Sequence, residues 1–182
     1  MRNIMLDIET LGTKSSSVIL SIGAVEVDEN DVGRGFHRRI DIQSCLDNGL
    51  TVDGSTIEWW MTQDANARAI FDIKGDPLDR VLDDFSRAFN WQDTLVWCNG
   101  MNFDLPILEN AFQAVGARTP WPYYNGRDYR TLKGMFPKEL VNRLRVKPTV
   151  AHDALDDARA QALTLIALLA HHNGQERGEK AA

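Results

Sequence analysis

Cysteine is scarce in this chain. Only Cys45 and Cys98 occur among 182 residues, and their separation is not that of a metal-binding pair. A reducing compartment, the cytoplasm, is the expected setting. Long apolar runs are also missing. The longest near a terminus is Ala162 to Ala170, far short of the roughly 20 residues that span a bilayer. No membrane partner is expected. Asp7 arrives before any apolar signal region, so no secretory leader is expected either. Repeats and low-complexity tracts are absent. Excess positive charge is absent too, since the net charge is −6.

What remains is the make-up of a folded domain. Hydrophobic residues contribute 43% and charged residues 25%, enough for one complete core. Residues 1–172 are expected to form a single domain, with 173–182 as a polar C-terminal tail. The negative total hides an uneven distribution. Residues 117–147 hold eight basic side chains against Asp128 and Glu139, a local charge of +6. Such a stretch is either an ordinary solvated face or a local guide for a phosphate backbone.

The element order comes from periodicity. Residues 3–9 alternate, with Ile4, Leu6 and Ile8 on one face. Residues 18–27 and 36–42 predict two more strands, with a turn at Asn30–Gly33. Ser55 and Glu58 have capping-box spacing ahead of Trp59, Trp60 and Met61. Asp76 and Pro77 read as the cap and first turn of a helix carrying Leu78, Val81, Leu82, Phe85 and Phe89. Residues 94–98 are a short apolar run, hence a buried strand. Phe103 to Val115 reads as a helix stopped by Gly116, and Ala154 to His172 as the last helix. Three strands followed by helices around a further strand predict a layered α/β or α+β domain.

Asp7 and Glu9 lie two apart on the first strand, so both carboxylates share one face. They are either the polar face of an edge strand or two acids that need a cation between them. Asp104 follows the buried strand across a turn with Asn99, Gly100 and Asn102. There it either caps the next helix or joins the first pair. His152 and Asp157 are five residues apart, which is about 140° around a helix. They cannot both face inward from one regular helix. The workable placement puts His152 on the loop and Asp157 in the helix's first turns. Periodicity does not choose between Asp156 and Asp157.

The order D-x-E, F-D, H-x-A-x-x-D-A is more specific than its parts. The stretches MLDIETLG, STIEWWMTQ, WCNGMNFDLPIL, YYNGRDYRT and AHDALDDA span most of the chain. Together they resemble the DEDD superfamily of 3′–5′ exonucleases, in its histidine branch, and within it the exonuclease A type of T-even phages. The resemblance implies a ribonuclease-H-like α/β fold, a mixed five-stranded sheet with helices on both faces. It puts the metal ligands on Asp7, Glu9, Asp104 and Asp157, and the general base on His152.

The same resemblance implies two divalent cations, Mg²⁺ with Mn²⁺ able to substitute. One would activate water and the other steady the leaving 3′ oxygen. Histidine, whose ordinary pKa is about 6.5, suits the base. The expected partner is nucleic acid with a free 3′ end, single-stranded DNA ahead of RNA, yielding nucleoside 5′-monophosphates. A homodimer is compatible with this reading, as is a bacterial or phage-infected cell. The alternatives are an RNA-trimming enzyme and an inactive binding module. The latter predicts a missing acid, and none is missing.

Expected substrate contacts are Thr10, Leu11, Asn102, Trp60 and Arg130. Adjacent helix positions face about 100° apart, so Trp59 and Trp60 cannot both face one pocket. Core packing is the first expectation for each, and the choice between them stays open.

Overall fold

The structure, a computed structural model, describes residues 2–180, with side chains up to residue 174. The last two residues of the expected 173–182 tail lie outside the described residues. The strands are β1 (Arg2–Thr10), β2 (Ile19–Val27), β3 (Val32–Arg39), β4 (Thr94–Cys98) and β5 (Gly126–Asp128). The first four helices are α1 (Ile42–Asp47), α2 (Gly54–Thr62), α3 (Ala65–Arg68) and α4 (Leu78–Ala88). The others are α5 (Asp104–Ala114), α6 (Tyr129–Gly134), α7 (Lys138–Leu144) and α8 (Ala154–Lys180).

Among the described residues the strands form one mixed sheet in the order β3-β2-β1-β4-β5. β1, β2 and β3 pair antiparallel, whereas β4 and β5 run parallel to β1. β1 is therefore central, and both of its faces are covered. Ile4, Leu6 and Ile8 pack into the larger core with residues from α1 to α5. Met5 points the other way, into a second core with Tyr129 and the apolar stripe of α8. Asp7 and Glu9 share that second face, beyond Met5 at the strand's C-terminal end.

Several boundaries differ from the sequence reading. β3 begins at Val32, not Phe36, and the chain has entered α1 by Ile42. Only Phe36 of β3 is buried. As an edge strand it is held by backbone bonds to β2, which leave little hydrophobic alternation to detect. α2 is capped by Asp53, whose carboxylate accepts from the Ser55 N–H. The Ser55–Glu58 capping box is therefore not used. α4 is capped by neither Asp76 nor Pro77 through a side chain. Its Leu78 N–H donates to the Ser44 hydroxyl from α1 at 3.0 Å. Gly116 stops α5 as expected, with φ of +71°. α8 runs eight residues past His172, to Lys180.

Candidate active site

Three parts of the chain converge beside the C-terminal end of β1. β1 presents Asp7 and Glu9. Asp104 opens α5, and its Oδ1 accepts the Ile8 N–H at 3.3 Å. That bond ties β4's exit to β1. The third part is the loop before α8, fixed by side chains of α8 itself. Val146 N–H donates to Thr164 Oγ1, Val150 N–H to Asp156 Oδ2 and His152 N–H to Asp157 Oδ2. Asp153 accepts the Leu155 and Asp156 N–H groups. The neighbouring acids thus divide the work: Asp153 caps the helix, Asp156 anchors the loop and Asp157 meets His152. His152 sits on the loop at φ +63°, as the 140° argument requires.

Gly23 brings α8 into place. It lies opposite Asp7 on β2. A Cβ there would stand 2.1 Å from the Ala154 carbonyl carbon. Without a side chain at this position, the start of α8 rests directly on the sheet and Asp157 reaches Glu9.

Glu9, His152 and Asp157 each offer a ligand atom, all within 4.8 Å of one another. Asp104 and Glu9 are 3% and 8% exposed. Burial raises Asp7 well above its ordinary pKa, and Asp104, Glu9 and Asp157 repel it further, against a hydrogen bond from Gln161. Burial, followed by repulsion from Asp157 and Asp104, pushes Glu9 to about 8. Burial raises Asp104 to about 7, against the pull of the Ile8 N–H and Arg130. Asp157 is raised as well, chiefly by burial. Metal-free, these carboxylates oppose one another's ionisation.

An aromatic wall flanks the cluster. The Trp59 ring meets His152 edge-on at 4.9 Å, and Trp60 lies 6.0 Å from it. The expectation for Trp60 is corrected here. Trp60 is 2% exposed, and its indole N–H donates to the Thr10 carbonyl at 2.9 Å. Trp59 is 42% exposed and is the ring that faces solvent beside the site. Leu11 is 5% exposed, packs in the core and donates its N–H to Val18. Thr10 is buried, with its hydroxyl on the Gly12 carbonyl. Neither side chain is available at the surface for a terminal base. Asn102 and Arg130 are exposed near Asp104. Arg130 donates to the Asn99 carbonyl at 2.9 Å.

Residues 2–169 match the family described as the 3′-5′ exoribonuclease Rv2179c-like domain. The chain belongs to this family. It is a 3′–5′ exonuclease with a ribonuclease-H-like fold. The exonuclease is also similar to the exodeoxyribonuclease of Enterobacteria phage T4. That relative is 26% identical over 215 residues, covering 97% of this chain and 92% of the relative. The nuclease domain of 3′hExo, a DEDDh family member bound to rAMP, superposes with a TM-score of 0.60 at 12% identity. It covers 95% of this chain and 92% of that one. Exonuclease I of E. coli, in complex with a 5cy-dT13 oligonucleotide, gives 0.59 at 16% identity over 92% of this chain. This exonuclease spans 40% of that chain's length.

A divalent cation fits the donor set. The ligand atoms are hard oxygens, and their mutual repulsion is what a cation relieves. The sign follows from the raised values. A raised carboxyl favours the folded state below its unfolded pKa, and the advantage is lost as pH rises through the folded pKa. For Glu9 and Asp104 the window runs from about 4 to about 8. The metal-free exonuclease is therefore expected to lose thermal stability across that window. Mg²⁺ or Mn²⁺ at 100 times its dissociation constant should restore roughly 5–10 °C at pH 8, and less at pH 5. Calorimetry with and without metal measures this. Equal metal effects at both pH values would count against carboxylate ligation.

Gln161 is the polar contact that the motifs do not name. Its Nε2 donates to Asp7 Oδ1 at 2.9 Å. The signal was present, since Gln161 follows Asp157 by four residues and shares its helix face. Trp59 and Gly23 were harder to find, because only the docking of α2 and α8 gives them their roles. Among the described residues no helix is long and apolar enough to cross a membrane.

Proposed function

We propose that this exonuclease removes nucleotides from the 3′ end of single-stranded DNA or 3′ overhangs, releasing nucleoside 5′-monophosphates. The observation that carries the reading is the gathering of Asp7, Glu9, Asp104 and Asp157 in one cluster, with His152 beside Glu9 and Asp157. Two divalent cations held by the four carboxylates would activate a water and stabilise the leaving 3′ oxygen. His152 sits beside Glu9 and Asp157, where it accepts the proton of the attacking water. The Trp59 edge and the His152–Asp157 backbone bond fix the loop that carries the imidazole. Gln161 holds Asp7 through the hydrogen bond from its Nε2. Trp59 supplies an exposed aromatic surface on which a 3′-terminal base can stack.

The match to a phage exodeoxyribonuclease along nearly the whole chain favours DNA. The exoribonuclease family description favours RNA as the second reading. Matched 5′-labelled DNA and RNA oligomers, digested with Mg²⁺, separate the two. The expected result is a ladder shortening from the 3′ end, faster on DNA and abolished by EDTA. Faster RNA digestion would reverse the preference. A 5′-to-3′ pattern, or activity surviving EDTA, would overturn the mechanism.

A further inference from the structure

A groove of about 210 Å³ opens beside the carboxylate cluster and shares Asp157 with it, whereas neither Trp59 nor His152 lines it. Asp157 and Gln161 belong to both the groove and the cluster, and Asn99, Lys133, Asn142 and Arg145 supply its other long polar side chains among apolar neighbours. It is smaller than the ~300 Å³ at which small-molecule sites begin. It therefore suits one group of a larger ligand better than a whole nucleotide.

Its charge is unbalanced. No ion pair among the described residues engages Lys133 or Arg145, or Arg130 nearby. Lys133 Nζ is directed inward, donating to Asn99 Oδ1 at 3.1 Å with the Tyr129 ring 4.4 Å below. Burial lowers its pKa, and repulsion from Arg130 and Arg145 adds to this. The nearby acid Asp128 is committed to capping α6 through the Arg130 and Thr131 N–H groups. Lys133 and Arg145, neither in an ion pair, outnumber Asp157 in the lining and suit the groove to an anion.

The two flanks of the pocket differ in chemistry. On the Trp59 flank the Trp59 ring meets Trp60 and His152 edge-on. The groove flank is polar and basic. We propose that the groove is a phosphate subsite, in which Lys133 and Arg145 hold a phosphodiester on the 5′ side of the scissile bond. The terminal nucleoside then lies toward Trp59 and the remaining strand leaves over the groove. This rests on the nuclease reading above, and it assigns a local role to two of the eight cations in residues 117–147.

The test compares two substrates. One is a 5′-labelled single-stranded DNA 12-mer. The other is thymidine 5′-monophosphate p-nitrophenyl ester, which has no upstream phosphate. In Lys133→Gln/Arg145→Gln the KM for the 12-mer should rise about ten-fold with kcat within two-fold, and the ester's kinetics should not move. The log–log salt dependence of binding should flatten by about 0.7 per removed cation. Lys133→Arg and Arg145→Lys should largely restore the 12-mer KM. An unchanged 12-mer KM, or equal loss on both substrates, overturns the subsite. So does weakened product inhibition by thymidine 5′-monophosphate with the 12-mer KM unmoved, which would assign the groove to released product. Should the wild type cleave neither substrate, the nuclease reading fails. Metal-free anisotropy of a fluorescein-labelled 12-mer then still reads the groove: weaker binding by the double variant supports it, and equal binding sinks it.

Discussion

Asp104→Asn is expected to lower kcat on the order of 10³-fold or more while the protein folds at least as well as wild type. Losing one ligand of a metal site forfeits several kcal/mol of charge stabilisation, and each 1.36 kcal/mol is a factor of ten. Asparagine can still accept the Ile8 N–H, so the tie between α5 and β1 survives. Stability should move the other way. The Asp104 carboxyl is raised to about 7 by burial, so in wild type its ionisation costs stability as pH climbs toward that value. The amide has no such cost. Without metal, the variant should therefore melt higher than wild type at pH 8, with the gap closing below about pH 4. A variant that kept wild-type turnover would remove Asp104 from the metal site. One that melted lower at pH 8 would show the Ile8 bond to be its main role.

The second large effect is expected at His152. His152→Ala should reduce kcat by roughly 10²–10⁴-fold, the usual contribution of a positioned general base. KM and DNA affinity should change little, because the phosphate subsite proposed above uses Lys133 and Arg145, which line a groove that His152 does not line. The backbone bond from residue 152 to Asp157 does not depend on the imidazole, so the loop should hold its place. Single-turnover kinetics with 5′-labelled DNA isolate the chemical step. Unchanged turnover would exclude His152 as the base. A matching loss of DNA binding would make it a substrate contact instead.

Much of this site could be read from residue order. A period of two put Asp7 and Glu9 on one face of β1, and that geometry belongs to any extended chain. The angle between positions 152 and 157 placed His152 on the loop for an equally local reason. The choice between Asp156 and Asp157 needed the family resemblance, because both acids sit at similar angles to the apolar stripe. In the folded chain the two differ in their neighbours: Asp156 accepts the Val150 N–H of the loop, whereas Asp157 has a ligand atom within 4.8 Å of Glu9 and His152.

Three features were not legible. β5 has three residues with no apolar alternation, and it exists because β4 offers it a parallel edge. The first half of β3 lacks such alternation too, and it is held as an edge by antiparallel bonds to β2. The tryptophan pair could not be divided by spacing, since helix period fixes only the angle between neighbours and not the direction of either. The Thr10 carbonyl decided it by taking the Trp60 indole N–H.

The sequence by itself determined which atoms could do the chemistry and along which strand or loop each would stand, because local periodicity is a property of the backbone. Only the tertiary structure decided which of those atoms meet. Gly23 admits α8 to the sheet, burial raises four carboxyls together with repulsion adding to it at Asp7 and Glu9, and Lys133 and Arg145 come to line one groove with Asp157. Those outcomes depend on contacts between separate elements of the chain, which no local pattern encodes.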